Sequence, residues 1–113
     1  MPNYGLTDLY ATWFNCQSAT VIPDLDNFTS VTRLSNALRN CYALITMPKL
    51  PTSSTALTEV ASMLDGNFGY TTGTVADLWN ATNFPNITTY PNAFKGATGL
   101  TNYADIPDAW KGL

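Results

Sequence analysis

The chain has 113 residues, one domain's worth, and 12% of them are charged, about half the usual share. A net charge of −3 excludes the clustered Lys and Arg that phosphate binding needs, and the absence of histidine removes imidazole acid–base chemistry and most zinc and haem sites. No apolar run reaches the length that spans a bilayer, and the start, MPNYGLTDLYA, lacks the basic residues and apolar stretch of a secretory signal.

The polar surface must therefore come from uncharged groups, chiefly 17 Thr and 11 Asn. Asn15-Cys16 and Asn40-Cys41 stand 25 residues apart, and this spacing opens a repeat. Thr7, Thr32, Thr58 and Thr88 each precede an Asn or Gly by eight residues: Asn15, Asn40, Gly66 and Gly96. Ala104 stands in the same relation to Gly112. Threonine is a good helix N-cap, and Asn or Gly ends a helix in the left-handed conformation. Between them apolar residues fall four apart, as Leu9/Trp13, Leu34/Leu38, Val60/Leu64, Tyr90/Phe94 and Ile106/Trp110. That spacing predicts a two-turn helix in each copy.

After each stop the apolar spacing changes to three. Ala19, Ile22 and Leu25 begin the series, Leu44, Met47 and Leu50 repeat it, and Val75 and Leu78 continue it. Interleaved Thr, Val and Ile predict a short strand, ended by Pro23 and by Pro48. The units run approximately over 6–15, 16–40, 41–66, 67–96 and 97–113, all within a single domain. Stacking them aligns Leu6, Val31, Leu57 and Ile87 in one apolar column beside the two helical ones. The expectation is an α/β solenoid of four to five short strand-helix rungs, with a small parallel sheet on one face. Asp8, Arg33 and Glu59 share one repeat position with alternating sign, which favours this register.

At Cys41-Tyr42-Ala43-Leu44-Ile45-Thr46-Met47-Pro48 and Val60-Ala61-Ser62-Met63-Leu64-Asp65-Gly66 the chain resembles the BspA-type leucine-rich repeats of bacterial surface proteins. The resemblance covers about residues 6 to 112. It implies a leucine-rich-repeat-like stack, and a role in surface attachment or partner recognition. Similar repeats look to be used in phage fibres and tails.

The residues themselves point away from catalysis. Without histidine no base stands ready for Cys16 or Cys41, and the repeat makes both thiols the same structural position on neighbouring units, as free thiols rather than a disulfide. Asp24/Asp26 and Asp105/Asp108 supply too few oxygens for a calcium loop. Gly69-Tyr70-Thr71-Thr72-Gly73 lacks the Lys-Ser/Thr of a phosphate loop. No cofactor and no metal are expected, and the chain is read as a non-enzyme. The sequons at Asn27, Asn80 and Asn86 follow from an Asn- and Thr-rich composition.

If Ile22, Met47 and Val75 point inward, Val21, Thr46 and Thr74 point outward, with Asn102 as a fourth. Tyr42 and Tyr70 flank the row at its entry and Trp79 at its exit. These seven residues form the expected binding surface, suited to a protein or a carbohydrate and nearly free of charge. The function read from them is a recognition module of a surface or adhesion protein; a structural subunit of a virion is the alternative. Extracellular surface or virion is the matching location, with no membrane insertion and no nucleic-acid partner. The ends of the stack carry no evident polar cap and invite assembly with another chain.

Overall fold

Residues 7–67, 69 and 73–113 are described in the computed structural model. The segments that begin at Thr7, Thr32, Thr58 and Thr88 are successions of tight turns. In the first, the amides of Thr12, Phe14 and Cys16 donate to the carbonyls of Leu9, Ala11 and Trp13. The same three bonds recur as Ala37 to Leu34, Arg39 to Asn36 and Cys41 to Leu38, and again in the third and fourth segments.

The intervening amides leave the segment altogether. Leu9, Ala11, Trp13 and Asn15 donate to the carbonyls of Arg33, Ser35, Ala37 and Arg39 at 2.8–3.1 Å. Leu34, Asn36, Leu38 and Asn40 donate to Glu59, Ala61, Met63 and Asp65. Val60, Ser62, Leu64 and Gly66 donate to Thr89, Pro91, Ala93 and Lys95. Within these segments every second amide is thus spent on the next copy, while at the segment starts the amides of Thr32, Thr58 and Thr88 donate back to the carbonyls of Thr7, Thr32 and Thr58.

The expected α/β solenoid with short helices and a small parallel sheet is not what forms. Among the described residues, regular structure amounts to a 3₁₀ turn at Tyr103–Asp105 and one helix, α1, Asp108–Lys111. Strand pairing is reduced to three isolated parallel bridges, Asp8 with Arg33, Arg33 with Glu59 and Glu59 with Thr89. Among the described residues there is no leucine-rich-repeat sheet.

Two physical reasons account for this. An α-helix keeps its amide bonds inside the segment and needs right-handed backbone throughout. Here each segment holds two left-handed residues four apart: Ala11 and Asn15, Asn36 and Asn40, Ser62 and Gly66, Asn92 and Gly96. The expected N-cap threonines serve otherwise. The Thr32 hydroxyl donates to the Thr7 carbonyl and the Thr58 hydroxyl to the Thr32 carbonyl, each at 3.0 Å. The second reason concerns the strands. A pleated strand alternates faces every second residue, whereas Ile22, Leu25, Phe28, Val31 and Leu34 are buried at every third. Period three does not fit a sheet.

The core lies where these periods meet. Leu25, Leu34, Leu38, Cys41, Leu44, Val60, Met63, Leu64 and Phe94 are buried in one cluster, each large side chain contributing roughly 1.5–3 kcal/mol by leaving water. Leu6, assigned to the third apolar column, lies outside the described residues. At the C-terminal end α1 closes the core. Trp110 stacks on Tyr90 with ring centroids 4.5 Å apart, and its carbonyl accepts from the Phe94 amide at 2.8 Å. Gly112 follows at φ 76 and ends the helix.

Candidate binding surface

A three-residue period leaves two of every three side chains outside. Around Met47 the inward residues are Leu44, Met47 and Leu50, and the outward ones include Ile45 and Thr46. The same holds around Ile22, where Val21 is 81% exposed. Ile45 is 57% exposed and Tyr42 47%. Val21 and Ile45 edge a shallow depression of about 430 Å³, lined also by Thr20, Ile22, Asp24, Thr46, Met47 and Pro48.

The backbone under this depression is fixed by two bonds. The Leu25 amide donates to the Lys49 carbonyl at 2.7 Å, and the Lys49 amide donates to an Asp24 carboxylate oxygen at 3.0 Å. Asp24, the acidic side chain among the described lining residues, is therefore engaged with backbone. A second depression, of about 250 Å³, lies beside Asp26, Lys49, Thr52 and Thr74.

The seven residues expected to form the surface do not all meet there. Val21 and Thr46 line the larger depression, Thr74 lines the smaller one, and Tyr42 is exposed. Tyr70 lies outside the described residues. Trp79 turns inward, meeting Phe94 and Trp110 edge to face at 6.1 and 6.3 Å. Asn102 is spent on structure: its side-chain amide donates to the Val75 carbonyl at 2.9 Å and its side-chain oxygen accepts from the Val75 amide at 3.0 Å. It replaces a neighbouring strand for that one residue.

Ile45 was missed. A strand reading assigns it to the inward-facing side with Met47, because it lies two residues away. The signal was present in the spacing of Leu44, Met47 and Leu50. Tyr10 and Phe14, both exposed, were missed for the converse reason. They sit where Ser35 and Arg39 stand in the next copy, under Arg33 and Arg39 at 4.8 and 5.8 Å.

The thiols are both free. Cys41 is buried and its Sγ donates to the Trp13 carbonyl at 2.9 Å. Burial pushes its pKa up, so the thiol stays protonated at neutral pH. Asn67 occupies the same position one copy later and does the same work, its Nδ2 donating to the Leu38 carbonyl at 2.6 Å. Among the described residues no three His, Cys, Asp or Glu side chains gather into a set that could hold a metal, and no helix is long and apolar enough to cross a membrane.

No family model matches this chain, and neither a curated protein nor a solved structure does.

Proposed function

We propose that the chain is a non-catalytic recognition module, as in a surface or adhesion protein, which meets a protein or carbohydrate through Val21, Tyr42, Ile45, Thr46 and Thr74. The exposure of Val21 and Ile45 over one depression carries this reading. Large apolar side chains held in water favour any partner that covers them, at about 25 cal/mol per Å² of apolar area removed. Hydroxyls and a phenol beside them supply orientation without charge. The proposal differs from the expected seven-residue surface in dropping Trp79 and Asn102, in omitting Tyr70, which lies outside the described residues, and in adding Ile45.

The full chain, screened against a glycan array and a displayed peptide library, should select ligands whose binding Ile45→Asp weakens by about tenfold or more, a loss of about 1.4 kcal/mol. The same binding should change little between low and physiological salt. Thr98→Asp, at another exposed position, should leave it intact. Ligands that bind Ile45→Asp as tightly as the parent chain would place recognition elsewhere.

A further inference from the structure

The two thiols of the chain hold one position in neighbouring copies. Cys16 and Cys41 are 25 residues apart. The residues just before them are joined across the copies, Asn40 Nδ2 donating to Asn15 Oδ1 at 2.9 Å. The Asn15 amide also donates to the Arg39 carbonyl at 2.9 Å, so the two backbones run side by side in register up to the cysteines. Corresponding residues of segments paired in this way stand about 4.8 Å apart. That lies inside the roughly 4.4–6.8 Å that a disulfide spans between Cα atoms.

Both residues meet at one carbonyl. Trp13 O accepts from Cys41 Sγ at 2.9 Å and from the Cys16 amide at 3.1 Å. The Cys16 backbone also hydrogen-bonds the Cys41 sulfur, and the Cys16 side chain is near enough to act on it through charge. Giving up the Cys41 S–H would leave Trp13 O with the Cys16 amide, so oxidation orphans no acceptor there. The two thiols differ in access: Cys16 is half-buried and Cys41 fully buried. Further along the column stand Asn67 and Ala97, so the pairing exists once.

We infer that Cys16 and Cys41 form a dithiol site that exchanges with a small, soluble disulfide and closes to an intramolecular disulfide, stapling the first copy to the second. The order follows from access. Cys16 loses its proton to water and attacks one sulfur of the small disulfide; the S–S bond breaks, a mixed disulfide forms and one thiolate leaves. Cys41 then loses its proton and attacks the Cys16 sulfur, expelling the second thiolate. Two electrons pass from the chain to the small disulfide, which ends as two thiols. Burial of Cys41 makes it a poor first attacker, whereas its place beside Cys16 makes the second attack intramolecular.

The reduced full chain, incubated folded with oxidised glutathione and digested without reductant, should yield a peptide pair joined through Cys16 and Cys41 in mass spectra. The closed loop of about 25 residues should raise the urea midpoint by about 1 M or more, and dithiothreitol should return it. Cys41→Ser should trap glutathione on Cys16, at least about tenfold more abundant than in the parent chain at the same time. Cys16→Ser should take up no glutathione while folded, and its midpoint should not respond to the reagent. Three results would overturn the inference: a parent chain that keeps glutathione on Cys16 with Cys41 free, a disulfide that joins two chains, or an intramolecular disulfide that leaves the midpoint unchanged or lowers it.

Discussion

Asn92→Ala separates the turn architecture from a helical one by the sign of its effect. Asn92 stands at φ 60, the position that Ala11, Asn36 and Ser62 hold in the other segments. An L-residue with a Cβ pays roughly 1–2 kcal/mol in the left-handed region, and Asn largely escapes this because its short side chain suits that backbone. Alanine at 92 should therefore cost about 1 kcal/mol. In an α-helix the same change would stabilise, by about 0.5 kcal/mol, since Ala has the better propensity. With a urea slope of about 1–3 kcal/mol/M, the midpoint should fall by about 0.3–1 M. Urea unfolding followed by tryptophan fluorescence measures it, with Trp13, Trp79 and Trp110 as reporters. Asn92→Gly, which also tolerates positive φ, should stay within a few tenths of the parent midpoint in M. An alanine variant with a raised midpoint would refute the succession of turns.

Leu38→Ala should lower stability by about 2–5 kcal/mol, because the side chain is fully buried between copies; thermal unfolding reads this directly. Asn67→Ala should cost about 1–3 kcal/mol by leaving the Leu38 carbonyl without its side-chain donor, and Asn67→Cys should restore part of it by repeating the Cys41 arrangement. In the folded chain an alkylating reagent should modify Cys16 well before Cys41, as mass spectrometry of timed samples would show. The raised Cys41 pKa also predicts that its contribution to stability is complete below pH about 9 and is lost as pH rises through the folded value; Cys41→Ala should flatten that alkaline slope in urea midpoints. Arg33 holds the Asp8 carboxyl below its usual range. Its small contribution is therefore present above pH about 4 and lost as pH falls through the lowered value, and Asp8→Asn should remove that acid limb.

The alignment of copies was legible in the spacing of Thr7, Thr32, Thr58 and Thr88. These residues bond in that order through their backbones, Thr32 to Thr7 at 2.7 Å, Thr58 to Thr32 at 2.9 Å and Thr88 to Thr58 at 3.0 Å. The local conformation was not legible. Apolar residues four apart fit one face of a helix, and they fit equally a run of turns that brings every fourth residue back to the core. Asn36 and Asn92 hinted at left-handed backbone, but Ala11 and Ser62 gave no such sign. What decides the matter is where alternate amides find acceptors, and those acceptors lie in another copy. The outward row was legible at Val21, Thr46 and Thr74. It failed at Trp79 and Asn102, whose partners, Phe94, Trp110 and the Val75 backbone, are distant in sequence.

Amides that donate sideways also set the order in which the chain can assemble. Leu9 waits for Arg33, Leu34 for Glu59 and Val60 for Thr89, so no copy completes its own bonding while it is alone. Each contact must first close a loop and lose the entropy of doing so. Chains dominated by such non-local pairings fold in milliseconds to seconds, where local helices take microseconds. The nucleus must contain at least two neighbouring copies. The second and third, with Leu38, Cys41, Val60, Met63 and Leu64 all fully buried, hold the densest apolar contact with which to begin.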